Sequence, residues 1–380
     1  MNIERDNIFR EDHQLLRETA RRFFEQECMP KQAQWDEEGK SDRETWLRAG
    51  AAGLLCASVP EEYGGGGGDF GHVAVIVEEF SRSGISGPGF GVHSDVVAPY
   101  IVRLGTEQQK RAWLPDACAG RKIFAMAMTE PGAGSDLQSI RARATLDGDD
   151  YVISGSKTFI TNGLNADLIL VVCKTDLAAG AKGISLFVVE SDRAGFRRGR
   201  KLHKVGQPAA DTAELFFDEV RVPAENMLGE ENQGFTYMMQ ELAQERLVIA
   251  LGAAVKLETL LEQTLEYLKQ RPAFGKTIWD FQNTRFKIAD IKAQALATRT
   301  LVDHYLRAHL QRKLTREEGA VAKLFSTESM WKGIDDMVQL HGGYGYMLEY
   351  PIARAFVDWR AARIYGGANE VMRDLIARKL

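Results

Sequence analysis

Cysteine is scarce. The 380 residues hold four, Cys28, Cys56, Cys118 and Cys173, widely separated and with no CxxC pair. That spacing excludes a disulfide-framed small domain and predicts reduced thiols in a reducing compartment. The seven histidines show no HExxH or similar ligand spacing, so no metal site is expected. Long apolar runs are lacking too, and none approaches the ~20 residues a membrane span needs. There is no excess of positive charge. The net charge is −5, and in residues 231–380 Lys and Arg are interspersed with Asp and Glu, which leaves no basic face for nucleic acid. The opening residues, Met1-Asn2-Ile3-Glu4-Arg5-Asp6, are polar and mixed in charge, unlike a signal peptide or an Arg-rich, acid-poor transit peptide. These absences predict a soluble protein of the bacterial-type cytoplasm. A mature mitochondrial matrix form fits the same residues.

Against these absences, 44% of the residues are hydrophobic and 27% charged, the composition of a globular protein of one to three domains. Residues 9–120 read mainly as helices. Leu15, Leu16, Ala20, Phe23 and Phe24 recur at helical spacing, as do Val73, Ile76, Val77 and Phe80. The run Gly64 to Gly68 has no GK[ST] ending and reads as a flexible turn between helices. Gly87-Pro88-Gly89-Phe90-Gly91 follows no strand and reads as loop or close helix packing. Residues 121–230 change character: Tyr151–Gly155, Leu168–Val172 and Ile184–Val189 are β-branched or aromatic runs bounded by Gly, Asn and Asp. Short strands without intervening helices imply a small barrel or sandwich. Residues 231–380 return to long helices, from about Thr236 to Gln270, Asp280 to Gln311 and Thr315 to Leu340, followed by a shorter one, which suggests a bundle.

The richest segment chemically is Ala127-Met128-Thr129-Glu130-Pro131-Gly132-Ala133-Gly134-Ser135-Asp136. Glycine lets a loop approach a ligand closely, and successive free N–H groups can hold an electron-rich one. No Lys follows the last Gly, and the segment joins no strand to a helix within a βαβ unit, so neither common nucleotide fingerprint applies. A tight surface turn with Asx and Ser caps explains the local chemistry equally well.

This segment resembles the first signature of the acyl-CoA dehydrogenase family. Gln339-Leu340-His341-Gly342-Gly343-Tyr344-Gly345-Tyr346, followed by Glu349, Arg354 and Asp358, is similar to the family's C-terminal signature. Arg271-Pro272-Ala273-Phe274-Gly275-Lys276 is similar to its flavin-pyrophosphate segment. The three stand in the family's order and spacing. The resemblance implies an α+β multidomain fold: an N-terminal helical domain (1–120), a middle β-barrel-like domain (121–230) and a C-terminal four-helix bundle (231–380). It implies FAD as cofactor and an acyl-CoA substrate oxidised to the trans-2-enoyl-CoA in fatty-acid or branched acyl-CoA catabolism. An electron-transfer flavoprotein would accept the electrons, and the assembly would be a homotetramer. An acyl-CoA oxidase using dioxygen and a non-catalytic flavoprotein of the same fold are the alternatives.

Carried over position by position, Thr129 matches the hydroxyl that contacts the flavin ring, within a cofactor segment that includes Met126, Met128 and Gly134. Phe159 and Thr161 match the aromatic and hydroxyl positions beside the ring, Phe159 standing where many relatives carry Trp. Ser135 matches a position near both cofactor and thioester. Arg271, Phe274, Gln339 and Gly343 match pyrophosphate and adenosine contacts made by a neighbouring subunit; an Arg fork suits pyrophosphate. Ala368 replaces a Thr that often contacts the cofactor.

The implied reaction removes a proton from Cα of the thioester and a hydride from Cβ, the hydride going to flavin N5. Many relatives place the base after a Tyr near the C-terminus. Here Tyr365, matched to the substrate site, is followed by Gly366, which carries no proton chemistry. In the long-chain and isovaleryl branches the base directly precedes an Arg on a long helix, and Glu245 before Arg246 matches it. Glu245 shares a helical face with Val248, Ile249 and Gly252, an apolar setting that raises a carboxylate's pKa. On spacing alone a solvated Glu beside Glu241 is the simpler reading; the vacated position at Gly366 reverses the preference. Gly366 keeps the main-chain N–H that, in the family, donates to the thioester oxygen. Arg246 is expected beneath the thioester, orienting the loop that carries Gly366. Glu130 is expected to cap loop N–H groups. Ser83, Gly84, Ser86, Gly87, Gly89 and Gly91 hint at room for long or branched acyl chains, although turn chemistry explains them as well.

Overall fold

The computed structural model describes Arg5 and residues 8–380. Among the described residues six α-helices come first: α1 (Glu11–Phe23), α2 (Gln32–Glu38), α3 (Arg43–Ala51), α4 (Phe70–Ser83), α5 (Ala98–Leu104) and α6 (Glu107–Cys118). Local chemistry sets their starts. The Asp42 side chain accepts from the Thr45 N–H at α3, and Thr106 and Gln109 form a reciprocal capping box at α6. In α1 the buried side chains are His13, Ala20 and Phe23, while Leu15 faces out at 61% exposure, so the apolar stripe is narrower than the sequence spacing predicts. The glycine run after Tyr63 is a fixed turn rather than a flexible one. The Gly67 and Gly68 amides donate to the Val59 and Ala57 carbonyls at 2.8 and 2.9 Å. A Cβ on Gly65 would lie 2.2 Å from the Val59 oxygen.

Seven strands follow: β1 (Phe124–Ala127), β2 (Arg143–Asp147), β3 (Asp150–Ile160), β4 (Leu168–Lys174), β5 (Ile184–Glu190), β6 (Phe196–Lys201) and β7 (Ala213–Pro223). They form one sheet in the order β1-β4-β2-β3-β7-β6, with β5 also paired to β4. The β2–β3 hairpin turns on Gly148 at φ +65° between the paired Asp147 and Asp150, the kind of two-residue turn that favours Gly. β4 is buried along its whole length and β5 almost so, which is why both read as continuous apolar runs rather than alternating ones.

Helices return with α7 (Gly234–Gln270). A short hairpin of β8 (Pro272–Ala273) and β9 (Lys276–Thr277) leads to α8 (Gln282–Leu310), α9 (Arg316–His341), α10 (Pro351–Asp358) and α11 (Asn369–Ala377). The expected start of α8 at Asp280 moves to Gln282, because residues 278–280 form a tighter turn closed by a Thr277–Asp280 capping box. Two short helices, not one, follow α9: Pro351 opens α10, and Gly366 and Gly367, both at positive φ, separate it from α11.

The chain forms two compact units, one of residues 26–73 and 86–241, the other of residues up to Glu25 with 74–85 and 242–380. In the first, Leu168, Leu170, Leu186 and Val188 join Tyr100, Ile101 and Leu114 in one core, and Ile169, Val171, Phe187, Leu215 and Val220 build a second. In the other, Leu257, Leu260, Ile291, Met330, Ile334 and Met337 form the core. That unit also buries an ionic cluster. Arg5 reaches Glu78 and Asp303, each at 2.7 Å, and Arg299 reaches Glu78 at 2.9 Å and Glu258 at 2.6 Å. Burial alone would raise the Glu78 carboxyl, but Arg299 and Arg5 override it and hold it at about 2.

Candidate active site

In the unit that carries the sheet, the loop after β1 is tied to β3 by a buried ion pair. Lys157 Nζ, with a fully buried side chain, donates to the Met128 carbonyl at 3.0 Å and to Glu130 Oε1 at 2.8 Å. The Glu130 carboxylate also accepts the Arg141 and Ala142 amides at 2.7 and 2.9 Å. Those three bonds occupy it as a loop anchor. The Thr158 amide donates to the Thr129 carbonyl at 2.9 Å, which sets Thr129 beside the end of β3. A Cβ on Gly132 or Gly134 would meet nothing within 4 Å, and Ser135 is exposed. Met126 and Met128 lie partly buried against the core below.

The end of β3 is irregular, and the irregularity presents the aromatic. Its register against β7 shifts between Lys157 and Ile160. The bulge lets Lys157 and Thr158 both turn inward while Phe159 stands out at 69% exposure with φ +59°. Asn162, also left-handed at φ +63°, is pinned by bonds from its Nδ2 to the Gly89 and Phe124 carbonyls at 3.1 and 2.9 Å. Thr161 sits between these two strained residues. Non-glycine residues at positive φ carry a conformational cost and cluster where a side chain must be aimed.

In the other unit, α7 presents Glu245 one residue before Arg246, and the turn at Gly366–Gly367 lies against this part of the helix. A Cβ on Gly366 would sit 2.4 Å from Ile249 Cδ1, one turn along from Glu245, and a Cβ on Gly367 would sit 3.9 Å from Arg246 Nη2. Arg246 is 4% exposed, and its Nε and Nη1 have no hydrogen-bond partner among the described residues. Burial lowers its pKa, partly offset by the Glu245 charge. A buried guanidinium with unused donors is a demanding group that an electron-rich ligand would satisfy. Glu241, one turn before Glu245, pairs with Arg103 at 2.8 Å. Tyr365 is 42% exposed.

Sequence reasoning missed Lys323. It is fully buried, and its Nζ donates to the Gly367 carbonyl at 2.8 Å and to Asn369 Oδ1 at 2.7 Å. Burial, with Arg246 nearby, pushes its pKa down to about 8. A signal existed: Ala320, Lys323, Thr327, Met330 and Ile334 are all buried on α9 at the spacing of a core stripe, and a lysine in such a stripe needs a partner.

The remaining predicted residues lie around the β8–β9 hairpin and the end of α9. Phe274 and Gly275 form the hairpin tip at φ +50° and +78°, the pair of left-handed residues a tight hairpin demands, and Phe274 is 95% exposed. The Arg271 guanidinium lies over the Tyr344 ring at 5.0 Å, which brings the hairpin to the segment that carries Gly343. Gln339 and Gly343 are exposed, and a Cβ on Gly343 would meet nothing within 4 Å. Ala368 stands at the N-cap of α11 and gives no side-chain cap.

Three family models cover the chain in order. They are described as the N-terminal, middle and C-terminal domains of acyl-CoA dehydrogenase and match residues 10–121, 125–220 and 232–380. The long-chain specific acyl-CoA dehydrogenase of Sus scrofa mitochondria is 49% identical over 375 residues, covering 98% of this chain and 87% of that one. The mitochondrial isovaleryl-CoA dehydrogenase of Pongo abelii is 37% identical over 377 residues, covering 98% and 89%. Among solved structures, an acyl-CoA dehydrogenase from Geobacillus kaustophilus superposes with a TM-score of 0.95 at 47% identity and 98% coverage of both chains.

Proposed function

The chain belongs to the acyl-CoA dehydrogenase family, and from that premise we propose that it oxidises the Cα–Cβ bond of a long-chain or branched acyl-CoA with Glu245 as the base. It is an oxidoreductase that works with FAD. The residues fit that group. Thr129 and Thr161 offer hydroxyls, Phe159 offers an exposed aromatic face, Gly132 and Gly134 leave the backbone open, and the Arg271 fork suits a pyrophosphate. Bound FAD supplies the hydride acceptor.

One observation carries the assignment of the base. The Gly366–Gly367 turn, where many relatives keep their carboxylate, lies against the turn of α7 that bears Glu245, with Ile249 filling the Cβ position at 366. In this reading the Glu245 carboxylate takes the α-proton. The Gly366 N–H donates to the thioester oxygen, where negative charge develops. Arg246 sits beneath the turn, and its unused donors add a fixed positive charge. Tyr365 contributes to acyl-CoA binding in its unit, and Ser135 is assigned to thioester binding in the other. Met126, Met128, Gly134 and Phe159 hold the ring with the two threonines, Arg271, Phe274, Gln339 and Gly343 take the pyrophosphate and adenosine of a second copy's cofactor, and Ala368 stands where a Thr often contacts the cofactor. Exposed Phe274, Phe286, Tyr346 and Leu348 support assembly into a homo-oligomer, a tetramer in this proposal, because isolated subunits rarely leave so much apolar surface in water. Electron-transfer flavoprotein is the proposed acceptor. Four buried free cysteines suit a reducing compartment, either a cytoplasm or a mitochondrial matrix; among the described residues no helix is long and apolar enough to cross a membrane.

The test is anaerobic addition of acyl-CoAs of graded length and branching to the yellow holoenzyme. Bleaching by long or branched thioesters is the expected result; no bleaching by any of them would remove the dehydrogenase activity. Turnover with an artificial acceptor should exceed turnover with dioxygen, and the reverse would make the protein an oxidase.

A further inference from the structure

We propose that Lys323 is a positioning residue for this reaction: it holds the Gly366–Gly367 turn in the one conformation that presents the Gly366 N–H to the thioester oxygen. The inference rests on the roles given above to that N–H and to Glu245.

Two consecutive glycines at φ +65° and +91° have no side chains to fix them, and glycine explores more backbone conformations than any other residue. A donor that must meet a developing charge has to be placed beforehand. In this turn the fixing is done from α9. Lys323 Nζ bonds the Gly367 carbonyl at 2.8 Å and Asn369 Oδ1 at 2.7 Å. Asn369 Nδ2 bonds Thr327 Oγ1 at 3.0 Å and Glu328 Oε1 at 2.7 Å. Glu328 is held by Arg363 at 2.9 Å. Lys323, Thr327 and Glu328 therefore form a row along α9 that grips the segment from Gly367 to Asn369.

The burial of Lys323 argues for a task other than stability. Its neighbours in the stripe, Ala320, Met330 and Ile334, are apolar or small and fully buried. An apolar side chain at 323 would avoid the several kcal/mol that desolvating an ammonium costs. Lys323 and Arg246 are also close enough for their charges to oppose each other. Two cations thus pack against the turn, Lys323 on the Gly367 carbonyl and Arg246 beside Gly367.

The experiment uses the holoenzymes of Lys323→Met, Lys323→Arg and Glu245→Gln, each mixed anaerobically with an acyl-CoA that bleaches the unaltered protein. The rate of flavin reduction is followed against substrate concentration. Lys323→Met should keep its flavin content and absorption spectrum, and should reduce roughly ten- to a hundredfold more slowly at saturation, approaching the loss of one oxyanion donor. Its half-saturating concentration should move little, and Lys323→Arg should recover part of the loss. A saturated rate close to the unaltered protein's, or a loss confined to the half-saturating concentration, overturns the proposal. Should Lys323→Met fail to fold, Asn369→Ala is read for the same split, and an unchanged saturated rate in that variant overturns it equally. Glu245→Gln separates the two layers. If it reduces at the unaltered rate, the base assignment falls and the Lys323 proposal with it. If it is inactive while Lys323→Met is normal, the Lys323 proposal alone falls.

Discussion

At position 366 a carboxylate would have to displace Ile249, whose Cδ1 occupies the space 2.4 Å from the would-be Cβ, and would have to accept φ +65°. Both conditions oppose a base at this position, which supports the proposal that Glu245 serves instead. Glu245→Gln should keep the yellow flavin and lose substrate-driven reduction by about 10²–10⁴, the usual worth of a general base; stopped-flow absorbance checks it. Moving the base back is a sharper test. Glu245→Gly with Gly366→Glu should stay inactive, because the new side chain meets Ile249, whereas adding Ile249→Ala should restore measurable reduction. A double variant as active as the triple would show that Ile249 simply swings aside. Phe159 makes a separate prediction. It is exposed and left-handed, so Phe159→Gly should relieve about 1 kcal/mol of backbone strain in the apoprotein while weakening flavin binding. Melting of the apoprotein and fluorescence titration with FAD measure the two halves.

The elements that hold these side chains depend on buried charge. Lys157 and Glu130 join β3 to the loop after β1, and desolvation lowers the Lys157 pKa while Glu130 counters it. Replacing Lys157 with Met leaves a buried carboxylate that retains only its two amide donors. Breaking such a pair from one side costs about 3–5 kcal/mol. The expected result is a lower denaturant midpoint and flavin release before global unfolding; an unchanged midpoint would mean that the pair adds nothing to the sheet. The α9 row of Lys323, Thr327 and Glu328 does for the Gly366 turn what this pair does for the loop after β1. Periodicity marks Lys323 as a lysine inside a core stripe of α9, but it names no partner for it, and Lys157 looks like a surface lysine. The partners, 44 and 27 residues away, are brought to them only by the fold.

For the whole molecule, pH resistance depends on imidazoles kept neutral. His93 Nδ1 accepts the Phe124 amide at 3.0 Å while Nε2 faces the Ala117 carbonyl at 3.1 Å, so protonating Nδ1 would set one N–H against another. Burial lowers its pKa to about 4, and burial does the same for His309. The unfolded chain binds protons at these histidines near pH 6.5, and the folded chain does not until about 4. Stability is therefore fully present above pH 6.5 and declines as pH falls through that window, by about 3 kcal/mol for His93. Melting temperature measured from pH 7 to 4 should fall, and a flat profile would contradict the assignment. Family and cofactor were legible in the sequence because each is written in contiguous residues, the loop at Thr129–Ser135 and the Arg271–Lys276 segment; the proposal for Glu245 starts from adjacent residues too, Gly366 after Tyr365. Helix and strand types were legible because periodicity is local. The strand order β1-β4-β2-β3-β7-β6, the bulge that exposes Phe159, the unused donors of Arg246 and the grip of Lys323 on Gly367 were decided only by the tertiary structure, because each is a contact between residues that the chain separates and only packing against a common core brings together.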